Sequence, residues 1–133
     1  MIKLQKDPSG TYRQRITIGA HNLFADIGTD LGGEDSAPDP HDLLDSSLAA
    51  CTAITLTMFA KRRGMPLESI NLSIERNNSK EKSGEYQLSL ELEFIGNLSD
   101  DQRQQLSSIV EKCPIHKLLS HATININTQV VQE

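Results

Sequence analysis

Tryptophan is absent from this 133-residue chain, and only two tyrosines and three phenylalanines supply aromatic area. A core without large rings must be built from Leu, Ile, Ala and Val. At this length one domain can bury enough of them without disulfide staples, so a single domain over residues 1–133 is expected. Positive charge is also short: thirteen Lys and Arg against eighteen Asp and Glu leave a formal net charge of −5. That balance argues against a nucleic-acid partner, which wants a basic face. The basic cluster Lys61-Arg62-Arg63 precedes Gly64 and fits the cationic end of a helix with its stop signal. Long apolar runs are lacking too. The stretch from about Leu43 to Ala60 is interrupted by Asp45, serines and threonines, short of the roughly 20 apolar residues of a membrane span. The opening Met1-Ile2-Lys3-Leu4-Gln5-Lys6 has no apolar signal region. The expectation is a cytoplasmic protein with no membrane partner. In that compartment the two cysteines, Cys51 and Cys113, are thiols, a redox pair or metal ligands rather than a permanent staple.

What is present reads as an α+β chain. Tyr12 to Ile18 and Asn22 to Ile27 have strand character around the turn Gly19-Ala20-His21-Asn22, after an earlier turn at Asp7-Pro8-Ser9-Gly10. Gly28 to Pro40, rich in Gly, Asp and Pro, is a loop long enough to be functional. A helix starts near Pro40, capped by Asp39, and runs to about Arg63. From Leu48 to Phe59 it has no wide polar stripe, so it must be covered on every side, by a sheet on one and by another helix, from this chain or a second subunit, on the other. Two half-buried strands follow, alternating at Ile70, Leu72, Ile74 and at Tyr86, Leu88, Leu90, Leu92, Phe94. Ser99 to Gln102 is a capping box that opens a helix carrying Leu106, Ile109, Val110 and Cys113 on one stripe. Pro114 breaks that helix and begins a short one through Leu119, and Ala122, Ile124, Ile126 and Val130 mark a last strand.

The cysteines carry the chemistry. Standing just before Pro114, Cys113 falls at or next to a helix N-cap, where the dipole favours thiolate, with His116 and Lys117 close by. Cys51 sits mid-helix in Leu48-Ala49-Ala50-Cys51-Thr52-Ala53-Ile54 and needs a cation or donor from elsewhere in the fold to become nucleophilic. Either thiol can equally serve as a small buried hydrophobe. A third reading takes Cys113 and His116 as one metal-ligand pair, with Cys51 and one of His21, His41 or His121 completing four. Structural zinc sites usually show two tight pairs, and this chain has one.

Pro40-His41-Asp42-Leu43-Leu44, then Ser47-Leu48-Ala49-Ala50-Cys51-Thr52, and finally Cys113-Pro114-Ile115-His116-Lys117 together resemble the OsmC/Ohr superfamily of osmotically inducible and organic hydroperoxide resistance proteins. The likeness extends over essentially the whole chain. It implies an OsmC-like fold, with a long central helix packed on antiparallel sheets in an intertwined homodimer. It also implies a cysteine-based peroxidase with its sites at the subunit interface. Cys51 would attack an organic hydroperoxide, Cys113 would resolve the sulfenic acid as a disulfide, and a dithiol reductant would reopen it, with no metal or organic cofactor. The family's Glu, ten residues before the first cysteine, is His41 here, with Asp42 as the adjacent acid. Ten residues of straight helix rise roughly 15 Å, so His41 and Cys51 share a site only through a bent entry or a partner chain. The family's thiolate-holding arginine corresponds to Arg13 or Arg15, with Lys6 nearer the first turn. The rival implied by the altered Glu position is a non-enzymatic protein that binds a small apolar ligand or a partner protein in the interfacial pocket.

Overall fold

Two aspartates start the longest element. The Asp42 N–H donates to Asp39 Oδ1 at 2.8 Å and the Asp39 N–H donates back to Asp42 Oδ2 at 3.1 Å, a reciprocal cap that satisfies orphan donors of the first turn. Helix α1 (Pro40–Arg62) follows. It ends where Gly64 takes φ 65°, a left-handed conformation that lets the Met65 N–H reach the Ala60 carbonyl at 2.9 Å. The computed structural model describes residues 1–132. They gather into two compact units, one made of Met1–Ser47 and Glu75–Ser89, the other of Leu48–Ile74 and the chain from Leu90 onward.

In the first unit, strands β1 (Ile2–Lys6), β2 (Gln14–Ile18) and β3 (His21–Ala25) form an antiparallel meander in that order. Its register pairs Ile2 with Ile18, Leu4 with Ile16, and Ile16 with Leu23, which sets an apolar row on one face. Ile2, Leu4 and Leu23 are exposed there. The Gly- and Pro-rich loop after β3 is ordered by buried Asp26, whose Oδ2 accepts the Ser36 hydroxyl at 2.6 Å and the Ser36 N–H at 3.1 Å. Gly33 passes so close to Ile27 that a Cβ would lie 2.2 Å from the Ile27 carbonyl oxygen.

Strands β4 (Leu67–Asn77) and β5 (Gln87–Gly96) form a two-stranded sheet. The core of the second unit joins Leu56 and Ala60 of α1 to Met65, Leu98 and Leu106, with Phe59, Ile70, Leu92 and Phe94 packed against them. Leu106 comes from α2 (Asp100–Ser108), opened by the expected capping box: Ser99 Oγ accepts the Gln102 N–H, and the Gln102 side chain accepts the Ser99 N–H. The last helix is α3 (Pro114–His121).

Three features differ from the sequence reading. The helix expected to reach Cys113 ends at Ser108, a single 3-10 turn covers Val110–Lys112, and Cys113 is extended at φ −65°, ψ 139°. Pro114 is the cause, because its ring bars the preceding residue from the helical region. The last strand does not form among the described residues: from Ala122 to Gln132 the chain is irregular and exposed, with Ile126 82% and Val130 85% accessible. The alternation that marks a strand supplies faces, but a strand also needs an edge to pair with. Finally, by length and composition α1 does reach the threshold of a membrane span, one that core helices also pass. Within one chain it keeps Ile54 59% and Met58 48% exposed.

Candidate active site

The second unit brings the two cysteines together. With Pro114 at the first helical position, Cys113 becomes the N-cap of α3, and its Sγ accepts the His116 N–H at 3.2 Å. N-caps are usually oxygen-bearing residues; here a sulfur takes the place and lies at the positive end of the helix. From α1 the Thr52 hydroxyl donates to the same sulfur at 3.8 Å, and both residues are buried, Thr52 at 1% and Cys113 at 0% exposure. Cys51, the preceding residue on α1, is only half-buried, with its Sγ 4.0 Å from Thr55 Oγ1 one turn on. Both thiols are free.

Burial pushes the Cys51 thiol pKa up, but the Ile115 backbone N–H, the Cys113 side chain and Thr55 outweigh it, so the net shift is downward. The donor that a mid-helix cysteine must borrow therefore comes from the first turn of α3. The arrangement can hold an accessible nucleophilic thiol against a second, enclosed thiol, which is what reversible cysteine oxidation requires. Ile115 was invisible to sequence reasoning because it acts through its backbone. Thr52 left a faint signal, a hydroxyl beside a cysteine in an otherwise apolar run. Among the described residues no group of three His, Cys, Asp or Glu could hold a metal ion.

Arg13, Arg15, His41 and Asp42 belong to the first unit, where each is engaged. Arg13 donates through Nε to Asp7 Oδ2 at 3.2 Å and through Nη1 to the Ser36 carbonyl and hydroxyl at 2.9 and 3.0 Å. Its guanidinium stacks 4.1 Å from the Phe24 ring centroid, and that of Arg15 lies 5.7 Å from the same ring. Backbone and side-chain hydrogen bonds from Ser9, then Arg13, lower the Asp7 pKa to about 2. Arg13 also borders an open cleft of about 330 Å³ lined by Leu23, Phe24, Ala37, Pro38 and Leu43. His41 pairs with Glu81 and stacks on Tyr86, ring centroids 6.0 Å apart. Asp42 accepts from Arg76 Nη2 at 2.6 Å, the main cause of its lowered pKa. Sequence reasoning missed the centre of this network, Asp45. It is 7% exposed and accepts from Arg76 Nε and from the Tyr86 hydroxyl, each at 2.6 Å. The signal available was an aspartate inside an apolar helix, which demands a partner.

An α+β chain with a long apolar central helix, two small sheets and a cysteine pair at the start of a short helix defines a thiol protein of OsmC-like architecture. A family model described as OsmC-like protein matches residues 33–129, and the chain belongs to that family. Solved structures agree in fold. An OsmC-like protein from Mycoplasma pneumoniae superposes with TM-score 0.73 at 19% identity, over 99% of this chain and 96% of that one. An organic hydroperoxide resistance protein OsmC from Legionella pneumophila gives 0.61 at 21% identity, covering 91% and 90%. The organic hydroperoxide resistance protein OhrB of Bacillus subtilis gives 0.58 at 20%, covering 91% of each chain. No curated protein matches the chain in sequence.

Proposed function

We propose that this protein is a cytoplasmic, homodimeric, thiol-dependent peroxidase that reduces organic hydroperoxides. The observation that carries the reading is the placement of half-buried Cys51, its pKa lowered, beside buried Cys113 at the N-cap of α3. The Cys51 thiolate attacks the terminal peroxide oxygen: an S–O bond forms, the O–O bond breaks, and the departing alkoxide takes a proton to become the alcohol. The Cys113 sulfur then attacks the Cys51 sulfenic acid. The S–S bond forms, the S–O bond breaks, and hydroxide leaves with the Cys113 proton as water. A dithiol reductant returns both thiols by exchange. Cys51 is the attacking sulfur because it is the more accessible of the two and its own pKa is lowered.

The homodimer reading is supported by apolar surface that one chain leaves uncovered: Ile54 and Met58 on α1, the Ile2–Leu4–Leu23 face of the meander, and the unpaired apolar segment after α3. In this reading Arg13 or Arg15 stabilises the Cys51 thiolate, and His41 or Asp42 orients it, across the subunit interface. Arg13 suits that role because Asp7 and Ser36 already hold its guanidinium.

Dithiol-dependent consumption of an alkyl hydroperoxide tests the assignment. Turnover is expected in the native protein and lost in Cys51→Ser. Cys113→Ser should complete one oxidation and then carry a trappable sulfenic acid. Absence of consumption with both thiols intact would overturn the peroxidase reading. The apolar cleft beside Arg13 favours the alternative in that event, a protein that binds a small apolar ligand, checked by saturable uptake of an apolar fluorophore.

A further inference from the structure

Thr52 lies one residue beyond Cys51, and an α-helix turns about 100° per residue, so the two side chains diverge. Cys51 remains half-exposed while Thr52 points into the protein, 1% accessible. A hydroxyl enclosed to that degree needs a partner, and the acceptor it has is the sulfur of Cys113, at 3.8 Å. Cys113 Sγ accepts a second hydrogen bond at 3.2 Å from the His116 N–H. A thiol sulfur carries two lone pairs and one proton. With both lone pairs engaged, the thiol proton is directed away from Thr52 and His116, and the Cys113 side chain is among the groups that lower the Cys51 pKa. A relay follows: the Thr52 hydroxyl donates to the Cys113 sulfur, which leaves the Cys113 thiol as a donor for Cys51.

We propose that Thr52 is a positioning residue, whose hydroxyl, with the His116 amide, fixes the Cys113 thiol so that its proton faces Cys51. Two consequences follow. Before oxidation the relay supplies Cys51 with a donor that solvent does not, favouring its thiolate. After oxidation it holds the Cys113 sulfur toward the Cys51 sulfenic acid, the bond-forming direction for resolution. The second consequence rests on the peroxidase reading; the first does not, since it concerns only the reduced thiols.

The test is the pH dependence of Cys51 alkylation by iodoacetamide, with no peroxide present. One hydrogen bond is worth about 0.5–1.5 kcal/mol, a factor of roughly 2–10. Thr52→Val should therefore shift the profile to higher pH and slow alkylation at neutral pH by about that factor. Thr52→Ser, which keeps the hydroxyl, should restore it. Thr52→Ala gives the same comparison if valine does not fold. In a Cys113→Ala background, removing the Thr52 hydroxyl should have no further effect, because the relay is already broken. Equal profiles for Thr52→Val and the native protein would overturn the proposal, as would an undiminished Val effect in the Cys113→Ala background. Because alkylation needs no substrate, a protein that fails to consume peroxide yet shows the Thr52 effect would sink the peroxidase reading alone.

Discussion

Removing the guanidinium of Arg76 should be the most costly single change in the polar network at the start of α1. Asp45 is 7% exposed, with one carboxylate oxygen on Arg76 Nε and the other on the Tyr86 hydroxyl, each at 2.6 Å. Arg76→Met keeps the stem and deletes the charge, leaving a buried carboxylate with a single neutral donor. Breaking a buried pair from one side costs about 3–5 kcal/mol. The Arg76 side chain is 23% exposed, and water can partly replace it, so about 2–4 kcal/mol is expected here. For a chain of this size each kcal/mol moves Tm by roughly 3–5 °C, giving a loss on the order of 10 °C. Tyr86→Phe removes one neutral hydrogen bond to the same carboxylate and should cost less, about 1–3 kcal/mol. Adding Asp45→Leu to Arg76→Met should recover most of the loss, because no charge is then left buried. Urea and thermal denaturation at one fixed protein concentration measure these variants, the Asp45→Leu single variant and the native protein. A loss under about 0.5 kcal/mol for Arg76→Met would refute the reasoning, since that is how a solvated surface pair behaves. So would a double variant as unstable as the sum of its parts.

Two pH limits and a truncation can be tested alongside it. Asp7, lowered to about 2 chiefly by Ser9, and Asp42, lowered chiefly by Arg76, have folded pKa values below their unfolded ones. Their contribution is complete above about pH 4 and lost as pH falls toward 2, so acid unfolding in that window should move to higher pH in Asp7→Asn. Tyr86 is raised to about 12, first by burial and then by its hydrogen bond to Asp45. Its stabilisation is complete below about pH 10 and fades as pH rises through 12, and Tyr86→Phe should flatten the alkaline limb of a stability–pH curve. Deleting residues 123–133 should lower the dimer fraction in sedimentation velocity at micromolar concentration; an unchanged dimer would separate that segment from the interface.

Most elements were legible because their signals are local. The Asp39-Pro40 start, the Gly64 stop, the Ser99–Gln102 capping box and the alternation through β4 and β5 each act within a few residues, and each stands where the pattern put it. The family likeness was legible through the two cysteine motifs. What escaped depends on contacts remote in sequence. Asp45 meets partners 31 and 41 residues away, and Thr52 meets a sulfur 61 residues away. The tail after α3 is the converse case. Its alternation of Ile124, Ile126 and Val130 is as clear as that of β5, yet the described chain leaves it without a ladder. Periodicity reports which residues share a face and is silent about the edge that completes the strand.

That distinction bears on how the cysteines divide their work. Position in sequence favoured Cys113 as the activated thiol, since it begins a helix and Cys51 lies mid-helix. The folded environment points the other way. Cys113 is fully enclosed, and the donors that reach it, Thr52 and His116, fix it in place. Cys51 collects the benefit of the same helix start through the Ile115 amide while keeping access to the exterior. A helix terminus can thus acidify a thiol that is not part of the helix, provided another element carries that thiol to it. An attacking sulfur must meet a substrate arriving from solvent, whereas a resolving sulfur need meet only its neighbour. On that criterion, in the proposed peroxidase burial rather than proximity to the dipole would set the order in which the two sulfurs react.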